Sequence, residues 1–219
     1  ADEQGLQGIR VSDGTGIVSS DGDGRFAGLR SGSTHEVFVI KPQGFRVPPG
    51  TDGLPAFWRA ASSGGERDCA FGLQPVAARQ GDLEVLVFSD PQVADDAEVD
   101  YYARDIVATA RAHGDAALGL TLGDVVDDAT ALYPALNRET TALGVPWLHA
   151  PGNHDLDADA RDDDTSLGAY RRTYGPDTYA WEERDAVFVL LDNVIAQPGG
   201  RPAYVGGLRE DQFAFLQRY

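Results

Sequence analysis

The chain has 219 residues, 42% of them hydrophobic, which is enough to bury an ordinary core in one large or two modest domains. Its net charge of -17 is unevenly spread: residues 1 to 80 carry 8 Lys and Arg against 9 Asp and Glu, whereas residues 81 to 219 carry 10 against 26. So acidic a surface repels nucleic acid and anionic membranes and suits divalent cations, no apolar run is long enough to span a membrane, and the lone Cys69 rules out an internal disulfide.

Residues 1 to 79 contain short strand-like runs broken by Gly and Asp: GIRVSDG, GIVSSDGDGRFAGL, THEVFVIKPQGF and CAFGLQP. This spacing of turn signals predicts a small all-β sandwich domain. SSDGDG resembles a calcium loop, but Arg30 stands where an EF-hand needs its bidentate Glu, so a hairpin turn is the expectation. THEVF has His-Glu without a second His four residues on, which leaves His35 as an ordinary strand residue. PPGTDGLP reads as loop, and VAARQGD as the boundary to a second domain over 82–219.

Beyond residue 81 the pattern changes to α/β. Four apolar runs each end on a polar cluster: LEVLVF before Ser89, Asp90, Pro91 and Gln92; ALGLTL before Gly123 and Asp124; VPWL shortly before PGNHD; and AVFVLL before Asp192 and Asn193. Near-continuous apolar runs predict strands buried on both faces. Between the first two, Val99, Tyr102, Ile106 and Ala110 recur at helical spacing, with Gly114 placed to stop the helix. Strand, helix, strand implies a right-handed crossover and a largely parallel sheet. The acidic run Asp162 to Asp164 reads as a solvated loop.

Asp90, Asp124 and Asn153 are 34 and 29 residues apart, one crossover unit each, so adjacent parallel strands would deliver them to one sheet edge. Hard oxygen ligands with a nearby His suit Mn, Fe, Zn or Mg. Two such metals sharing a carboxylate can activate water and clamp a phosphoryl group, and their charge is needed for an anionic substrate to approach so acidic a face.

The ordered set SDPQ, LGDVVDD and PGNHD resembles the calcineurin-like metallophosphoesterases, whose motifs run D-x-H, G-D, G-N-H-[DE], a lone His and G-H-x-H. GNHDLDADARDDD, YRRTYGPDTYAW and VFVLLDN are similar to connecting segments of the secreted bacterial branch, in which a small β-sandwich precedes a catalytic domain of packed sheets flanked by helices, an αββα arrangement. The resemblance implies a two-metal hydrolase acting on a small-molecule or cell-envelope phosphate ester, in a secreted, periplasmic or cell-surface location. It assigns Asp90 and Gln92 to the first metal, Asp124 to the bridge and Asn153 to the second metal. His154 would be the general acid or charge stabiliser, oriented by Asp155 through its other ring nitrogen. His149 matches no motif position and reads as strand-end packing.

Two features depart from the family pattern. Gln92 stands where the family has a metal-binding His, and an amide oxygen is a weaker, neutral ligand. The family also supplies three more His after a position equivalent to residue 200, while the His here are at 35, 113, 149 and 154. The expectation is therefore a fragment, short at both ends and inactive alone, in which any metal is single, weak or absent. The alternative is a non-catalytic binding module that keeps the fold.

Overall fold

In a computed structural model, which describes residues 4–29, 36–60, 69–78 and 80–219, the short runs at the start of the chain pair antiparallel. Strands β1 (Arg10–Ser12), β2 (Ile17–Ser19), β3 (Glu36–Val39) and β5 (Trp58–Ala60) form one sheet in the order β2-β1-β3-β5. Strands β4 (Phe45–Arg46) and β6 (Gln74–Pro75) form a separate two-stranded ladder. The β1–β2 hairpin turns on Asp13, whose Oδ1 accepts from the amides of Thr15 at 3.1 Å and Gly16 at 2.7 Å. SSDGDG is a turn as well: Asp21 Oδ1 accepts from the amides of Asp23 and Arg25 at 3.0 and 2.9 Å. Arg30 and His35 lie outside the described residues.

Strands β7 (Val85–Phe88), β8 (Leu118–Leu122) and β9 (Trp147–Ala150) form a parallel sheet in that order. The crossover from β7 to β8 is helical. Asp95 caps it by accepting from the Glu98 amide, and Glu98 reaches back to the Ala94 amide. It runs from α1 (Asp96–Tyr101) through a π-helical segment (Tyr102–Val107) and α2 (Ala108–Ala110) to a 3-10 turn (Arg111–His113). The π segment shifts the predicted apolar stripe. A widened turn advances the buried face by about one residue, so Val107 is fully buried and Ile106 is 41% exposed. Gly114 does end the helix, with φ of -66°, so it acts there without using a left-handed conformation.

After β8, α3 (Tyr133–Thr141) leads to β9, and α4 (Gly168–Tyr174) leads to a hairpin of β10 (Thr178–Glu183) and β11 (Ala186–Leu191). A short ladder of β12 (Val194–Ala196) and β13 (Tyr204–Gly206) precedes α5 (Glu210–Arg218). The structure corrects two strand expectations. AVFVLL becomes β11, paired antiparallel with β10 instead of joining the parallel sheet, because a two-residue turn at Arg184 and Asp185 returns the chain directly on itself. LEVLVF becomes an edge strand, so its Val87 is 53% exposed and not buried on both faces.

Alternation along the parallel strands builds a core on each face. On one face Leu86, Phe88 and Trp147 meet Val99, Tyr102, Tyr133, Leu136 and Tyr174 from the helices. On the other, Leu118, Leu120 and Leu148 meet Phe38, Ile40 and Phe57 from the antiparallel strands, with Tyr179, Trp181 and Phe215 from the later elements. The first strands therefore share a core with the parallel sheet. Lys41, almost wholly buried, fastens the two: its ammonium donates to the Glu182 carbonyl at 2.7 Å and the Glu183 carboxylate at 2.5 Å, and its backbone bridges to Trp181. Among the described residues, no helix is long and apolar enough to cross a membrane.

Buried ion pairs close the later part of the chain. Arg171 and Arg209 both reach Asp177, at 2.6 and 3.0 Å, and Arg209 also holds Asp192 at 2.5 Å. Gln212 on α5 donates to the Asp192 carbonyl and the Thr178 hydroxyl. Beside this network is a cavity of about 450 Å³, whose lining includes Asp13, Glu36, Asp162, Arg171 and Arg209 but none of the motif residues.

Candidate metal centre

The motif residues follow directly from the ends of the parallel strands. Asp90 lies two residues beyond β7, Asp124 two beyond β8, and Asn153 three beyond β9, where a 3-10 turn (Asn153–Asp155) begins. The pairing continues into the loops: the Gln92 amide donates to the Asp124 carbonyl at 2.8 Å, Val93 bridges to Val126, and the Asp127 amide donates to the Val93 carbonyl at 2.9 Å. Thus the loops after β7 and β8 run side by side. The loop after β9 joins them through the His154 amide, which donates to Asp124 Oδ1 at 2.8 Å, and the Asp128 amide, which donates to the His154 carbonyl at 3.2 Å.

Backbone conformation sets this edge apart. Asp90, Gln92, Asp124 and Asp128 have φ of 59°, 47°, 46° and 60°, in the left-handed region that side chains with a Cβ disfavour. Gly123 precedes Asp124 at φ 80°, and a Cβ on Gly152 would lie 2.2 Å from the Asp124 carboxylate. The two glycines of LGD and PGN are therefore needed for the loops after β8 and β9 to touch.

Asp155 departs from its expected role. One carboxylate oxygen, Oδ2, accepts from the amides of Gly152 at 2.8 Å and Val125 at 3.3 Å, while Oδ1 accepts from the Tyr133 hydroxyl at 2.8 Å. It is wholly buried and clasps the two loops together; orienting the His154 ring falls to other groups. Successive side chains of a 3-10 turn point about 120° apart, so neighbours in PGNHD face different ways. Burial pushes the Asp155 carboxyl up to about 6, against the pull of its three hydrogen bonds.

The groups at the His154 ring are Asp127 and Asp128, each with an oxygen 3.0 Å from Nδ1. Both stand in LGDVVDD, where the signal for them is a G-D pair followed by two further carboxylates. Burial alone would lower the His154 pKa, but the hydrogen bond to Asp128 and the charges of Asp124, Asp128 and Asp127 outweigh it and hold it above its ordinary value. Ligand atoms of Asp127, Asp128 and His154 all lie within 4.8 Å of one another, so this trio also has the spacing of a cation site. His149 is packing: it stacks on Tyr174 at 3.9 Å, and desolvation lowers its pKa to about 3.

The donor set fits divalent metal. Carboxylates of Asp90 and Asp124 and amides of Gln92 and Asn153 are hard oxygen donors carried by one edge, with an imidazole adjacent. Among the described residues, no Lys or Arg is ion-paired with Asp90, Asp124, Asp127 or Asp128. Calcineurin-like phosphoesterase is the family description that matches residues 83–216, and the description for the N-terminal part of calcineurin-like phosphoesterase matches residues 1–76. The chain belongs to the calcineurin-like phosphoesterase family. A search of curated proteins finds no match. Membership implies metal-dependent hydrolysis of phosphoesters as the chemistry of the family.

Proposed function

We propose that this protein hydrolyses a phosphomonoester or phosphodiester with two divalent metal ions at the ends of β7, β8 and β9. The observation that carries the reading is the convergence of Asp90, Asp124 and Asn153 on one sheet edge, in left-handed loop conformations at both aspartates and without a protein cation paired to either among the described residues. Asp90 and Gln92 would hold one metal, Asn153 the other, and Asp124 both. Such ions supply positive charge for the phosphoryl oxygens and make water acidic enough to attack near neutral pH.

The chain's own groups supply the rest. His154 stands next to Asp124 through its backbone, and Asp127 and Asp128 hold its Nδ1, so Nε2 is the ring nitrogen available to substrate. Water would add to phosphorus and give up a proton to solvent, the ester P–O bond would break, and the leaving oxygen would take a proton from His154, which solvent then restores. The two carboxylates favour the imidazolium that gives this proton. Export from the cytoplasm is part of the same reading and rests on the resemblance to the secreted branch; a gene without any export signal would contradict it.

Elemental analysis of the full gene product, paired with nitrophenyl phosphate and bis-nitrophenyl phosphate assays, tests the reading. The expected result is bound Mn, Fe, Zn or Mg and hydrolysis of at least one ester that stops on chelation. A gene product free of metal affinity, with both esters left intact, would instead support a binding module that kept the fold.

A further inference from the structure

The loops after β8 and β9 carry three of the groups assigned above, Asp124, Asn153 and His154, and one buried side chain joins their backbones. Asp155 Oδ2 takes the amide directly after Asp124, that of Val125, and the amide directly before Asn153, that of Gly152. A carboxylate with two amides on one oxygen can still rock about its side-chain torsions unless its other oxygen is fixed. That second oxygen is held by Tyr133, the first residue of α3.

Tyr133 is itself locked. Its ring is 1% exposed and stands edge-on to Tyr174 at 4.9 Å, while the Tyr174 hydroxyl donates back to Asn137 on α3 at 3.0 Å. Burial and the adjacent carboxylate raise the Tyr133 pKa far above its ordinary value, so the hydroxyl remains a donor. The helix-side core is thereby wired to the sheet edge through one hydrogen bond of 2.8 Å.

We propose that Tyr133 is a positioning residue: by fixing Asp155 it sets the spacing between the loop of Asp124 and the loop of Asn153 and His154, and thereby the affinity of the edge for metal. The inference rests on Asp124 and Asn153 being ligands. Groups that orient ligands from behind typically change metal affinity or activity by about 10- to 100-fold when removed.

The test is Tyr133→Phe in the full gene product, which removes the hydroxyl and keeps the ring against Tyr174. Tyr102→Phe is the control, since it deletes a buried hydroxyl bonded to Thr140 at 2.7 Å in the same core and does not touch Asp155. Without metal, hydrogen exchange at the Val125 and Gly152 amides should quicken about tenfold in Tyr133→Phe and stay at the wild-type rate in Tyr102→Phe. Mn2+ affinity, measured by calorimetry, should fall about tenfold in the first variant only, with kcat lowered more than KM is raised. Unchanged exchange at both amides, or faster exchange with unchanged Mn2+ affinity, overturns the proposal. Equal effects from the two variants also overturn it, because they would mark a general loss of core packing. If the wild type itself binds no Mn2+, it is the reading of the edge as a metal centre that fails, and the role of Tyr133 in setting metal affinity falls with it; faster exchange in Tyr133→Phe would then show a clasp without that role.

Discussion

Two groups of carboxylates in this molecule meet opposite fates. Asp177 and Asp192 are buried beneath α5 and held by Arg171 and Arg209. Asp90, Asp124, Asp127 and Asp128 stand together at the strand ends, three of them with left-handed backbone, and none is ion-paired with Lys or Arg among the described residues. Coulomb repulsion between such neighbours is unfavourable whether or not the loops are strained. The carboxylates beneath α5 have guanidinium groups as counter-charges, whereas at the strand ends the cationic group within reach is the His154 imidazole, at Asp127 and Asp128.

The comparison breaks most severely at Asp124. On the proposed two-metal reading, Asp124→Asn in the full gene product should lower turnover by about a thousandfold or more, since a neutral amide would not replace a carboxylate shared by two metals. Circular dichroism should show the fold retained. Near-normal turnover and metal content in this variant would remove Asp124 from the centre.

Arg209→Met probes the other group. It leaves Asp192 and part of Asp177 buried without their cation, which should cost about 3 to 5 kcal/mol in a denaturation experiment. Mn2+ affinity should hold in the fraction that remains folded. A loss of stability below about 1 kcal/mol would show that the ion pairs do not support this part of the fold.

The smallest effect concerns pH. His149 is neutral when folded, with its pKa lowered to about 3 by desolvation. A base whose folded pKa is lowered contributes stability above its unfolded value, near 6.5, and that contribution is lost as pH falls toward 3. Asp155 and Asp192, both raised to about 6, act in the opposite sense, stabilising at low pH and losing that contribution as pH rises through 6. The difference between wild type and His149→Gln isolates the histidine: wild type should lose about 2 kcal/mol more than the variant between pH 6.5 and roughly pH 5. Parallel stability curves for the two proteins would show that His149 is solvated.

Much of the candidate site was legible because it depends on local patterns. An apolar run followed by a polar cluster marks a strand end, and spacings of 34 and 29 residues fit one crossover each, so Asp90, Asp124 and Asn153 fell on one edge as expected. The parts that were missed depend on rotation about the chain axis, which composition does not encode. Asp155 differs from His154 by one position, yet the 3-10 turn puts one in the core and the other at the edge. Asp127 and Asp128 reach the imidazole through a loop containing left-handed residues, whose path no periodicity describes. The same limit applies in the crossover helix, where a π segment moves burial from Ile106 to Val107. AVFVLL has the composition of an interior parallel strand, and its pairing was decided by the tight turn before it.

The core shared between the first strands and the later elements has a consequence for synthesis on the ribosome. Phe38, Ile40 and Phe57 find their partners at Tyr179, Trp181 and Phe215, and the guanidinium of Arg10 lies 4.4 Å from the ring centre of Tyr219. Closure over such sequence separations is entropically slow, and a strand cannot pack on a partner that has not yet been made. Phe38, Ile40 and Phe57 are therefore made well before Tyr179, Trp181 and Phe215, and their apolar side chains stay without these partners until the later elements follow, an interval in which extended hydrophobic segments favour association.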